Sequence, residues 1–382
     1  MKLGRNSLTT AVMAAALGSS LTLSGCAADG SNSYAAYSQM KNSTVEALTD
    51  DTRVFKVDPA ITVLKVSFVN RYGFEVVGHL YLPKDFDADK RYPALVITGP
   101  FGAVKEQSSG LYAQEMAERG LVAVAFDPST TGQSGGVRRN MGSPEIFTED
   151  VSAAVDFVSN LTFVDPEKIG GIGICGLSGM VLTAAVNDVR LKAVATSAMY
   201  DMSESISDHY KGDYYTPAQR EAVKRHLALL RDQEAKSGES IRGAHELAVA
   251  ADGTIQTFDV MFPDTLPEDA NAVIKDFYGY YVGRAYHPRA INSNTSAWDS
   301  TTPYGFFNFN LMENLKELAP RPVLLITGSA AHSKYFSDEV YAKAAQPKEE
   351  LVVPGATHVD LYDQYDKIPF DYLAQYFLKN LK

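Results

Sequence analysis

Cysteine is nearly absent from this chain: there are two among 382 residues, Cys26 and Cys175. That scarcity excludes a disulfide-stapled scaffold. No C-x-x-C or H-E-x-x-H spacing occurs and the seven histidines are scattered, so neither a metal nor a cofactor is expected. Positive charge is also in deficit. Thirty-five Lys and Arg stand against 46 Asp and Glu, a net charge of −11, with no basic stripe along the chain. Nucleic acid is therefore not an expected partner. Long apolar runs are missing too. The one near the start, from Ala11 to Leu23, is too short to span a bilayer as a helix. No internal repeat is evident.

What the start does contain is a leader pattern. Lys2 and Arg5 precede the small, apolar run, which closes on Leu23-Ser24-Gly25-Cys26. Residues 1–25 read as a secretory signal, and the last four positions resemble a bacterial lipobox. The implied mature chain begins at Cys26 with a lipid on its thiol and the membrane as a partner. The implied place is the cell envelope, at the outer membrane facing the periplasm. Residues 26–53 read as a flexible tether. An ordinary signal peptide cut elsewhere is the alternative.

The next feature is Lys168 to Met180, KIGGIGICGLSGM. A short buried strand runs into a glycine-rich corner and then a helix, with Cys175 at the corner. This is the layout of a nucleophile elbow, in which only small neighbours fit around a strained nucleophile. Gly173 and Gly176 supply two of them. Ser178, in GLSGM, is the alternative nucleophile; it would place Gly176 inside the strand, where it packs nothing. A third reading is a structural cysteine at a strand end.

Around this corner the pattern alternates. Ile61–Asn70 and Phe74–Leu82 predict a β-hairpin. Strands are predicted over 92–98, 121–126, 191–200, 321–327 and 350–353, and helices over 111–119, 146–161, 180–186, 337–345 and 370–381. Such alternation predicts an α/β chain with a mostly parallel, doubly wound sheet. Residues 54–201 and 320–382 form that core. The interval 202–319 is far longer than an ordinary connection and reads as a mostly helical cap insertion. Thr216-Pro217-Ala218-Gln219 predicts a capping box at its first long helix. Ten aromatics lie between Phe277 and Phe309; most would form the cap's own core, and some would face a ligand.

A cysteine nucleophile needs a base, because an unperturbed thiol has a pKa of about 8.5. Pro354-Gly355-Ala356-Thr357-His358 follows the last strand, so His358 is the expected base, with His332 as competitor. A standing thiolate near pH 7 would follow. Two backbone N–H groups should hold the oxyanion: Gly176, and Phe101 from the loop after the first long buried strand, with Gly102 in reserve. Pro100 has no N–H to give. An acid normally follows the strand 321–327, but Gly328 to Ser333 holds none. Asp201, Asp338 and Asp360 are the candidates in that order, and a Cys–His dyad is the alternative.

GPFGAVKEQSSGLYAQ (99–114), GICGLSGM (173–180), SAMYDM (197–202), AYHPRAINSN (285–294) and PGATHVDLYD (354–363) together resemble the dienelactone-hydrolase-like branch of the α/β-hydrolase superfamily. Within it they are similar to bacterial secreted hydrolases and fungal polyketide-transferase-like enzymes. The resemblance covers roughly residues 60–380. It implies an α/β-hydrolase fold, a Cys or Ser elbow, a closing His, and acyl transfer to water or another acceptor. The expectation is a lipid-anchored hydrolase of an ester, thioester or lactone. An acyltransferase of the same fold and a non-catalytic binding lipoprotein are the rivals.

Overall fold

The computed structural model describes residues 33–250 and 252–382. The expected signal peptide, Cys26 and the first part of the expected tether lie outside the described residues. Eleven strands occur among the described residues: β1 Thr44–Ala47, β2 Thr62–Val69, β3 Glu75–Leu82, β4 Tyr92–Thr98, β5 Val122–Phe126, β6 Val164–Ile174, β7 Leu191–Ser197, β8 Arg242–Gly243, β9 Trp298–Asp299, β10 Val323–Gly328 and β11 Lys348–Val353. Nine of them form one sheet in the order β1-β2-β3-β5-β4-β6-β7-β10-β11. From β5 to β11 the neighbours run parallel. The first three strands are antiparallel, and β3 joins β5 antiparallel.

Ten α-helices accompany the strands: α1 Ser108–Glu118, α2 Pro144–Ser159, α3 Ser178–Asn187, α4 Met202–Ser207, α5 Pro217–Ser237, α6 Ala272–Tyr278, α7 Thr302–Phe306, α8 Lys334–Lys343, α9 Asp360–Asp363 and α10 Phe370–Asn380. α1 packs with α10, and α2 packs with α3. Every residue of β5, and Ala94 to Thr98 of β4, is buried, as continuous apolar runs require when helices cover both faces. The sheet is mostly parallel with helices on both faces, as the alternation predicted, and the fold is the α/β-hydrolase fold that the resemblance implies.

The chain joins this fold earlier than a tether over 26–53 allows. β1 pairs antiparallel with β2, Thr44 opposite Ser67 and Ala47 opposite Leu64. Val45 is buried, and the Tyr37 ring meets Phe163 edge-on at 5.1 Å. An alternating edge strand and a few aromatics are enough to dock the segment, although its Ser, Asn and Ala content reads as linker.

Residues between β7 and β10 carry α4 to α7 and the β8–β9 pair. Helix α5 starts at the predicted capping box: Thr216 accepts from the Gln219 N–H, and the Gln219 side chain returns the contact. Its apolar face, with Val223, Leu227 and Leu230, makes a small cluster with Leu247. Much of the rest is irregular rather than helical. Tyr280, Tyr281, Trp298 and Phe306 are buried in the main core itself, so the aromatics of this insert are shared with the sheet domain.

Candidate active site

The site begins with the turn at the end of β6. Gly173 has no room for a side chain, since a Cβ there would stand 2.5 Å from the Ser178 Cα. That close approach lets α3 start directly under the strand. Cys175 takes the consequence, a φ of +55°, which is left-handed backbone that a non-glycine residue adopts only under constraint. Ser178 is the first residue of α3 with ordinary helical dihedrals. It is fully buried and its hydroxyl has no partner. Of the two candidate nucleophiles, only Cys175 lines the large cavity.

The cavity holds about 480 Å³ and is walled by Phe101, Tyr200, Phe277 and Tyr281 among others, with Glu246, His245 and His332 as its titratable groups besides Cys175, Tyr210 and the remaining tyrosines. No Lys or Arg lines it among the described residues. Burial pushes the Glu246 carboxyl up to about 7, although the Tyr210 hydroxyl donates to it at 2.5 Å.

Phe101 and Gly176 arrive where expected. Both backbone N–H groups lie beside the Cys175 thiol and favour its thiolate, and an oxyanion formed at this corner needs two such donors. The loop bearing Phe101 is clamped. The Asn292 amide donates to the Phe101 carbonyl at 2.6 Å, and the Ile291 N–H donates to the Gly102 carbonyl at 2.8 Å. The Phe101 ring stacks on Trp298 at 4.2 Å. Below, Lys105 reaches Asp127 at 2.9 Å, Glu106 at 2.8 Å and Gln133 at 2.7 Å. All three charged groups are essentially without solvent exposure, and Arg289 adds a second cation on Glu106 at 2.8 Å.

His358 follows β11 and is buried, but it does not touch the thiol directly. Its Nε2 meets the Tyr362 hydroxyl at 2.9 Å, and Tyr362 lines the cavity together with Cys175, where its hydroxyl favours the thiolate. On the other side, Nδ1 meets the Ser333 hydroxyl at 2.6 Å. The sequence held a signal for Tyr362: it lies four residues past His358, one helical turn away. Ser333 had none. It depends on the loops after β10 and β11 closing on each other, and Gly328 makes this possible because a Cβ there would sit 2.1 Å from the Ala356 carbonyl oxygen.

None of the three expected carboxylates reaches His358. Asp201 caps α4, accepting from the Ser203 N–H at 2.9 Å, the Ser203 hydroxyl at 2.7 Å and the Glu204 N–H at 3.2 Å. Cap geometry uses the side chain up locally. Asp338 pairs with Lys334 one turn earlier in α8. Asp360 takes the Thr357 N–H at 2.8 Å and Lys367 at 2.6 Å. His332 lines the cavity, bonds the Tyr200 hydroxyl through Nε2, and lies 5.1 Å from the His358 ring.

Electrostatics correct the expected resting thiolate. Burial pushes the Cys175 thiol up to about 12, and the bonds from Tyr362, Gly176 and Phe101 offset only part of that. Burial, with His332 beside it, holds His358 well below the usual imidazole range. In a dry pocket without a cation both partners rest neutral.

A cavity at the carboxyl ends of parallel strands, with Cys175 at a left-handed corner and a histidine past the last strand, fits the class of α/β hydrolases. The model of the X-Pro dipeptidyl-peptidase (S15) family matches residues 73–267, half of the chain, and the chain belongs to that family. It is 46% identical over 378 residues to "Uncharacterized protein PA2218" of Pseudomonas aeruginosa, covering 99% of this chain and 96% of the relative. The crystal structure of that protein superposes with a TM-score of 0.80, covering 88% of this chain and 99% of that one. The α/β hydrolase GrgF of Penicillium sp. sh18 shares the fold at a TM-score of 0.63 and 20% identity, over 84% of this chain and 98% of its own. The chain is also 32% identical over 133 residues to thiohydrolase aneE of Aspergillus aculeatus, covering 35% of this chain and 40% of that protein.

Proposed function

We propose that this hydrolase cleaves a thioester or ester through an acyl-enzyme on Cys175. One observation carries the reading: Cys175 sits at a left-handed corner on a large cavity, with the Phe101 and Gly176 backbone beside its thiol. The sulfur attacks the acyl carbonyl and its proton passes towards His358. The two N–H groups hold the oxyanion, which is usually the largest electrostatic contribution in acyl transfer. As the tetrahedral intermediate collapses, the protonated imidazole returns the proton to the leaving thiol or alcohol. Water then attacks the thioester on Cys175 with His358 as base. Similarity to thiohydrolase aneE supports a thioester among the candidate acyl donors. The predominantly aromatic cavity wall supports an apolar or aromatic acyl group.

The test is intact-mass spectrometry after mixing with p-nitrophenyl butyrate and S-butanoyl-N-acetylcysteamine, alongside steady-state release. An acyl adduct on Cys175, absent in Cys175→Ala, is the expected result. An unchanged turnover in Cys175→Ala overturns the reading. Added alcohol or amine that captures the acyl group faster than water does would move the assignment to acyl transfer.

The leader pattern supports a second, separate proposal: Cys26 is lipidated and tethers the domain to the cell envelope, at the outer membrane. Labelling with a fatty acid such as palmitate should mark the wild type and not Cys26→Ala. Equal labelling of the two sinks this proposal.

A further inference from the structure

The proton of Cys175 has no direct path to His358. Among the described residues the Tyr362 hydroxyl is the group placed beside both, at 2.9 Å from Nε2 and on the same cavity wall as the sulfur. It is not a side chain that can swing aside freely. Tyr362 is fully buried, and its ring is gripped by Tyr280 at 5.1 Å and Phe277 at 6.3 Å. The His358 ring packs against it at 5.2 Å. Tyr281 adds a further ring contact at 6.4 Å. Beyond His358 the chain of hydrogen bonds ends on Ser333, a neutral group where a carboxylate is usual.

We propose that Tyr362 is a catalytic residue that relays the proton between Cys175 and His358, so that four neutral groups, Cys175, Tyr362, His358 and Ser333, do the work of a charged triad. As the sulfur attacks, the S–H bond breaks and its proton goes to the Tyr362 oxygen. The phenolic O–H breaks in the same step and its proton goes to Nε2. The S–H electron pair becomes the new carbon–sulfur bond. Tyr362 starts and ends neutral, and His358 becomes imidazolium with its Nδ1–H donated to the Ser333 oxygen. On collapse the bond from the acyl carbon to the leaving group breaks, Nε2–H gives its proton to the Tyr362 oxygen, and the phenolic O–H gives its own to the departing thiolate or alkoxide. Burial raises the phenol well above its ordinary range, so the hydroxyl carries a proton through rather than losing one at rest. No external reactant is needed.

The relay presupposes Cys175 as the nucleophile, and the experiment separates the two. Acylation of the full chain by S-butanoyl-N-acetylcysteamine is followed by stopped flow in H2O/D2O mixtures. Wild type should show a curved proton inventory, with two protons in flight. Tyr362→Phe should slow acylation by about 10²- to 10⁴-fold, the usual scale of general acid–base catalysis, with KM changed less than about threefold as expected when binding contacts survive. Its thermal midpoint is measured in parallel. Should that variant not fold, 3,5-difluorotyrosine placed at 362 keeps the shape and changes the acidity; a rate shift with an unchanged midpoint supports the relay. Wild-type acylation in Tyr362→Phe, a linear inventory, or an unchanged rate with the fluorinated residue overturns it while leaving the acyl-enzyme intact. Turnover in Cys175→Ala would remove both.

Discussion

The two walls of the site solve the problem of buried polarity in opposite ways. On the oxyanion side, the loop carrying Phe101 stands on full charges: Lys105, Glu106, Asp127 and Arg289, nearly all out of water and each paired. On the proton-transfer side, Cys175, Tyr362, His358 and Ser333 are neutral and joined only by hydrogen bonds. Charges anchor a backbone that must not move during reaction. Neutral groups serve where a proton must move, because a standing ion pair would have to be broken before transfer.

The comparison can be broken from the charged side first. Lys105→Met should leave Asp127 and Glu106 buried without their shared cation, costing about 3–5 kcal/mol of stability. A urea or thermal unfolding curve measures it. A cost below about 1 kcal/mol would mean the charges are not the anchor. The neutral side is tested by iodoacetamide. With its thiol near 12, Cys175 should alkylate roughly 40- to 100-fold more slowly at pH 8 than a plain thiol, once the smaller thiolate fraction and the higher nucleophilicity of a basic thiolate are both counted. The sign with pH follows from the raised value: reactivity should climb about tenfold per unit from pH 7 to 10 without levelling. A flat profile would show a resting thiolate–imidazolium pair.

Smaller effects sharpen the contrast. Asn292→Ala removes the donor to the Phe101 carbonyl and should lower kcat by about 10- to 100-fold with little change in KM, as when an oxyanion donor is loosened. Unchanged kcat would mean that Ile291 and Trp298 suffice to hold the loop. Ser333→Ala should lower kcat by roughly tenfold, because the hydroxyl orients a ring but carries no charge. Asp201→Asn should be smallest in activity, within about threefold, while costing up to about 1 kcal/mol of stability as a weakened helix cap. A large kcat loss in Asp201→Asn with none in Ser333→Ala would restore Asp201 as the orienting acid.

Local pattern was enough for much of this protein. The alternating strands and helices, the hairpin of β2 and β3, the capping box at Thr216, and the corner at Cys175 all follow from apolar periodicity, from where glycine and proline stand, and from which side chains accept from their own backbone. The positions of Phe101 and Gly176 beside Cys175 were legible for the same reason, since backbone groups are fixed by strand ends. Side-chain partnerships were decided by tertiary structure. Asp201 looked like the histidine's acid because it ends a neighbouring strand, yet it spends its oxygens on the α4 cap within three residues of itself. Ser333 reaches His358 only because Gly328 lets two loops close on each other. Tyr362 stands between thiol and imidazole because Tyr280 and Phe277 fix its ring from the insert. Local rules act over a turn or a strand and can be read from spacing. A proton path among residues 175, 333, 358 and 362 depends on how distant segments pack, and sub-ångström packing sets the hydrogen bonds that spacing alone does not specify.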